Sequence, residues 1–145
     1  MGRINWTRVF IGGLIAGLVL NVFWFAAWGF FIGPRLSAAL KALGRPMQEN
    51  IGTTVLIVVL GFLVGFLAIW LYAAIRPRYG AGPGTAALAG VAAGLLFGIF
   101  PDIGWGLTLR FIAGRVWAAD GVVSLVAIVI ATVLGAWVYK EQAEQ

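Results

Sequence analysis

Four long apolar runs divide the chain, and the short polar stretches between them hold almost all of its charge. The runs lie at about residues 9–31, 51–75, 86–109 and 121–139. An α-helix rises about 1.5 Å per residue, so each run is long enough to cross a hydrocarbon core of about 30 Å. The pattern predicts an all-α membrane domain of four spans over residues 1–145, packed as a left-handed four-helix bundle.

Small residues mark the faces on which these helices meet. Gly13 and Gly17 lie one turn apart in the first run, as do Gly61 and Gly65 in the second. In the third, Ala86, Gly90, Gly94 and Gly98 recur at every fourth position. Such a ridge lets a neighbouring backbone come close. Pro101 removes the amide that would bond to the Phe97 carbonyl, so a kink or break is expected there.

The longest connection, Gly33 to Asn50, permits two readings. Pro34 suits a first helical turn and Gly44 a stop. Leu36, Leu40, Leu43 and Met47 then share one side while Arg35, Lys41 and Arg45 stay polar, which describes a short amphipathic helix at the lipid surface. An irregular loop suits the Gly-Arg-Pro ending equally well. Arg76-Pro77-Arg78 is expected to stop the second span, and YGAGPG to turn tightly into the third. FIAGRVWAAD leads to the last span, and KEQAEQ forms a polar tail.

Four crossings put both termini on one side, here side A. Trp6, Trp70, Tyr72, Trp137 and Tyr139 gather there, and Trp28, Trp105 and Trp117 gather at side B, giving two aromatic interface belts. Basic residues tie at five to a side: Arg3, Arg8, Arg76, Arg78 and Lys140 against Arg35, Lys41, Arg45, Arg110 and Arg115. The positive-inside rule therefore leaves orientation open, with a lean to N-in from the first span. A shift of 77 residues superposes Gly13 on Gly90, Gly17 on Gly94, Trp28 on Trp105 and Gly29 on Gly106, and a shift of 67 superposes Trp70 on Trp137 and Tyr72 on Tyr139. Two repeated helical hairpins are one reading, and the recurrence of Gly and Trp at fixed depths in any membrane helix is the other.

Composition narrows the chemistry. The chain is 62% hydrophobic and 10% charged, with mean hydropathy +1.01, more apolar surface than a soluble domain of 145 residues can hide. Its pI near 10.5 comes from bases at the ends of apolar runs rather than on one face, which points to anionic lipid headgroups and away from nucleic acid. With no cysteine and no histidine, the usual ligands of haem and zinc and the usual general base are missing. No cofactor or metal site is expected, nor an enzyme. The first run is too long for a signal-peptide core, is interrupted by Asn21 and lacks a clear cleavage site, so it is expected to be an uncleaved anchor.

Asp102 is the strongest candidate for a functional group. Translocon scales charge about 2.5–3.5 kcal/mol for an ionised carboxylate at mid-membrane depth. The first reading makes it a cap, accepting from the amides of Gly104 or Trp105 after the Pro101 break. The second makes it a cation or proton site in a polar vestibule toward side B with Thr53, Thr54, Ser124, Asp120 and Arg110. Asn21 is expected to hydrogen-bond a neighbouring helix before it binds a ligand. Asp102 and Asp120 lack the surroundings of an intramembrane protease, Ser37 and Ser124 lack a nucleophile elbow, and YGAGPG opens a span instead of following a strand. Phe23, Trp24, Phe25, Trp28, Phe30 and Phe31 form an aromatic stripe that faces lipid, fills helix gaps or stacks on a ligand.

GGLIAGLVLN, LKALGRP, WLYAAIRPRYGAGPGTA and GAWVY resemble recurring segments of small uncharacterised bacterial four-span membrane proteins. The layout also resembles the DUF1761 family, in which a basic amphipathic connection follows the first span and the third carries a proline where this chain has FGIFPD. The resemblance implies a multi-pass protein of the bacterial inner membrane and brings no catalytic residue. The first functional expectation is a structural or accessory subunit that packs with itself or a larger complex. The alternative is a small proton- or cation-coupled transporter or channel using Pro101 and Asp102. A glycine ridge left facing lipid favours the first, and a cavity reaching Asp102 favours the second. The composition makes one direct prediction: the protein stays in the membrane pellet through an alkaline carbonate wash and leaves it only in detergent, and release by carbonate alone refutes the assignment.

Overall fold

A computed structural model of the chain describes residues 4–48 and 50–140; Arg3 of the basic entry and the tail after Lys140 lie outside the described residues. The described residues form helices and no strand: α1 (Trp6–Ala27), α2 (Gly33–Ala42), α3 (Ile51–Tyr79), α4 (Pro83–Gly94), α5 (Phe100–Thr108) and α6 (Gly114–Ala136). A π-helical turn, Trp28–Ile32, joins α1 to α2, and another, Leu95–Ile99, joins α4 to α5. Four continuous helices long and apolar enough to cross a membrane result, Trp6–Ala42, Ile51–Tyr79, Pro83–Thr108 and Gly114–Ala136. The chain is an all-α, multi-pass membrane bundle.

Element ends depart from hydropathy in three places. The first span does not stop at residue 31 but runs on into the amphipathic segment, which is a helix and not a loop. Gly44, at φ 69°, ends it, with the Arg45 amide donating to Leu40 O and the Gly44 amide to Lys41 O. The second span passes through Pro77, because a proline in the last turn forfeits one bond only, and Gly80, at φ 87°, ends the helix. The fourth helix starts at Gly114 rather than 121, so Arg115, Trp117 and Asp120 are helical. Hydropathy marks where lipid begins, whereas backbone hydrogen bonding carries the helix out into the interface.

Sequence-placed glycines build the seams. Gly13, Gly17, Gly61, Gly65, Gly90, Gly94 and Gly98 are all buried within the monomer. α1 packs on α3 and α6, α4 packs on α6 and α3, and α3 touches α6, which sets α1 and α4 on opposite sides of the α3–α6 pair. A methyl on Gly65 would stand 2.8 Å from Gly13 O, and one on Gly90 would stand 2.8 Å from the Val129 Cα. Gly12 and Gly135 form a further crossing, where a methyl on Gly12 would stand 2.6 Å from Gly135 O. The side chains that fill the core are correspondingly small, among them Ala16, Ala68, Ala89, Ala93, Ala127 and Ala131.

The two seams meet at comparable glycines but in different registers. Gly13 lies against Phe66 and Gly17 against Phe62, while Gly90 lies against Val129 and Gly94 against Leu125. First helices correspond at a shift of 77 and their seam partners at 63, about one helical turn short of the 67 that relates the end aromatics. Tyr72 and Tyr139, that 67-related pair, meet edge to face at 5.7 Å between ring centroids.

Those tyrosines correct the belt assignment. Trp6, Trp70, Trp105 and Trp137 face outward as interface anchors should, but Tyr72, Tyr139 and Trp117 are buried. The tyrosine hydroxyls tie side A together instead: the Asn5 amide donates to Tyr139 and the Gly82 amide to Tyr72. Trp117 packs over Gly106, whose missing side chain leaves room for the indole.

Pro34 and Pro101 share one local solution. Each follows a π-turn in which an amide reaches back five residues, Gly33 N–H to Trp28 O and Phe100 N–H to Leu95 O. The wider turn makes room for the proline ring, so the expected break at Pro101 is a bulge inside a continuous helix. In the first span the Arg35 guanidinium donates to the loosened Phe31 carbonyl at 2.6 Å and lies 4.2 Å from the Phe31 ring centroid. Gly33 is required there, since a Cβ would meet Trp28 O at 2.7 Å.

The packing predicts that Gly65→Ala costs about 1–3 kcal/mol in a detergent unfolding titration, because the backbone cannot give way. Gly104→Ala, where nothing lies within 4 Å, is expected to be neutral or slightly stabilising. Equal midpoints for the two variants would refute the seam.

Candidate functional site

The two π-turns lie toward side B in the first and third helices, and beside them the bundle holds a cavity of about 1060 Å³. All four spans and the connection before α3 contribute to its wall. From the third and fourth helices come Pro101, Asp102, Asp120 and Ser124, from the start of the second Thr53 and Thr54, and from the first Trp24, Phe25 and Trp28. Of the polar set expected from sequence, Asp102, Pro101, Thr53 and Thr54 share this cavity with Asp120 and Ser124. Arg110 does not line it.

Asp102 owes its position to the bulge. Pro101 and the preceding π-turn rotate the helix so that the next side chain faces α6, where Gly121 has no side chain to obstruct it; a Cβ there would lie 3.3 Å from Asp102 Oδ2. The residue is only 8% exposed. No side chain caps α5, and Asp102 accepts no hydrogen bond from the described residues, so the cap reading is not realised. The physical reason is continuity: a helix that is bulged and not broken leaves no free amides at Gly104 and Trp105 to be capped. What remains is a carboxyl facing a cavity, beside the second carboxyl of Asp120.

Asn21 belongs elsewhere. Its amide nitrogen donates to Gly17 O at 2.8 Å in its own helix and to Val58 O at 3.2 Å in α3, and Gly61 supplies the room for it. It is a helix-to-helix clamp sealed off from the cavity. In the other hairpin Gly98 packs against Ser124, so each seam pairs a glycine with a small polar residue, on opposite helices.

At the rim, the Asn50 side chain accepts from the amides of Gly52 at 2.8 Å and Thr53 at 3.4 Å and caps α3. An Asn immediately before an apolar run was the sequence signal for that cap. Gln48, Met47, Ile57 and Phe97 also line the cavity, and nothing in their local pattern marked them. Among the described residues no lysine or arginine lines it, although the chain carries a formal charge of +5. Among the described residues, no three His, Cys, Asp or Glu side chains are grouped to hold a metal ion. The arrangement suits holding a positive charge against a carboxylate in a mostly apolar chamber.

Two stability measurements check these placements. Asn21→Ala is expected to lose about 1 kcal/mol, the scale of an interhelical hydrogen bond in a membrane, and an unchanged midpoint would refute the clamp. Asp102→Ala is expected to match or exceed the parent in stability, because it removes an unpartnered carboxylate; a loss of about 1 kcal/mol would restore the cap. No family model, curated protein or solved structure matches the chain.

Proposed function

We propose that this protein is a small membrane carrier or channel whose cargo is a cation held at Asp102. The observation that carries the reading is the Asp102 carboxyl, unpartnered among the described residues and turned into a chamber whose described wall has a second acid and no base. A buried carboxylate without a donor is expensive in a membrane, and such groups mark ion and substrate paths. The described residues around the cavity offer it no compensating cation. A non-enzymatic role agrees with the missing histidine and cysteine. The resemblance to bacterial four-span proteins supports an inner-membrane location.

The assembly reading drew on the same glycine ridges, and those are occupied by contacts within the monomer. What it retains is the exposed apolar surface of the bundle, which lipid covers as readily as a partner does.

Proteoliposomes under an inside-negative potential test the proposal. Protein-dependent uptake of at least one cation from a panel of H⁺, Na⁺, K⁺ and monovalent organic cations is expected, and Asp102→Asn is expected to abolish it. The reading fails if no cation in the panel moves or if Asp102→Asn moves it equally well. A stoichiometric protein partner recovered from native membranes, with no cation movement, would return the chain to an accessory role.

A further inference from the structure

We infer that the cavity takes a lipophilic organic cation, a bulky monovalent cation with apolar or aromatic substituents, rather than a bare ion; this rests on the reading that Asp102 holds a cation. Size is the first argument. A proton or alkali ion needs a few oxygens in a tight cage, whereas this half-open space of about 1060 Å³ lies just above the range of about 300–1,000 Å³ typical of pockets for drug-sized molecules.

The wall chemistry is the second argument. One oxygen that would join an ion cage is engaged elsewhere: Asn50 Oδ1 accepts from the amides of Gly52 and Thr53. Apolar and aromatic side chains make up the greater part of the lining. Trp24, Phe25 and Trp28 come from the first helix, whereas Asp102 and Asp120 come from the third and fourth. A ligand spanning the chamber thus meets aromatic faces from one helix and carboxylates from the others. Aromatic faces attract cations and apolar groups alike, while a carboxylate rejects neutral and anionic analogues by being left unpaired or repelled.

Charge selection is the third. Among the described lining residues both ionisable groups are acids, so an anion of the same shape finds no partner there, and the acids distinguish this chamber from a void that merely admits lipid tails. Trp28, 45% exposed, is available to such a ligand without being part of the packed core.

Equilibrium dialysis of the purified, detergent-solubilised full chain with labelled tetraphenylphosphonium tests the inference, with tetraphenylborate as the isosteric anion and tetraphenylmethane as the neutral analogue. Saturable binding of the phosphonium alone is expected, unaffected by excess Na⁺ or K⁺. Asp102→Asn is expected to weaken it about tenfold or more, and Trp28→Leu about three- to tenfold. Circular dichroism and thermal unfolding of each variant verify that it folds. Equal uptake of the phosphonium and the borate, or phosphonium binding unchanged in folded Asp102→Asn, shows simple partitioning and overturns the inference. If proteoliposomes show Asp102-dependent H⁺, Na⁺ or K⁺ flux while the phosphonium neither binds nor inhibits it, the inference falls and the cation reading stands. If neither assay responds, both fall.

Discussion

Close approach of helix backbones is the constraint on which the structure depends. In lipid there is no hydrophobic force to press one helix against another, because tails are as apolar as leucine side chains. Association must come from van der Waals contact and from interhelical hydrogen bonds, and both require that nothing bulky stand between the axes. Glycines at the seams satisfy that requirement: Gly65 rests on the Gly13 and Gly17 backbone, and Gly12 and Gly135 approach each other directly. Where a polar side chain enters a seam, as Asn21 does, a facing glycine makes the space and backbone carbonyls accept its protons.

The same medium explains why prolines bend these helices without ending them. A backbone amide or carbonyl cannot be left to hydrocarbon, so the chain widens one turn and bonds five residues back. Both first helices of the two hairpins do this, at Trp28–Ile32 and Leu95–Ile99, and the cavity lies beside those turns. The seam that is tight from Gly13 to Gly61 gives way toward side B to a chamber with carboxylates in its wall. Packing and polar chemistry thereby occupy different depths of one bundle. Asp102 sits where they meet, against Gly121 on one side and the chamber on the other.

That position distinguishes Asp102 from Asn21 and Thr132, the polar residues packed deepest in the seams. Asn21 donates to two carbonyls, and Thr132 donates to the Ile128 carbonyl at 2.6 Å. The Asn21 nitrogen and the Thr132 hydroxyl thus find carbonyls inside the helix lattice, while Asn21 Oδ1 is buried in the seam without a partner. Asp102 has no such donor, and its neighbour Asp120 carries the same charge type. A carboxyl so placed is favourable only with a proton or a foreign cation, which is why the cation reading rests on it more than on the cavity's size.

By itself the sequence determined that there are four spans, that the helices meet on glycine faces and that the acids, Thr53, Thr54 and Ser124 lie toward one side of the membrane, while it left the Gly33–Asn50 connection open between helix and loop. These follow from periodicity, length and depth, which are local properties of a helix in lipid. Sequence reasoning misplaced what depends on neighbours: Tyr72, Tyr139 and Trp117 match an interface belt in type and depth, yet face inward. It also read Pro101 as a break, since the missing amide is visible in the chain while the compensating bulge is a choice the backbone makes within a packed environment. Only the tertiary structure decided that Asn21 is sealed in a seam and Asp102 is not. A one-dimensional pattern fixes how deep a residue lies, but the rotation of each helix, set by contacts with the other three spans, decides what its side chain faces.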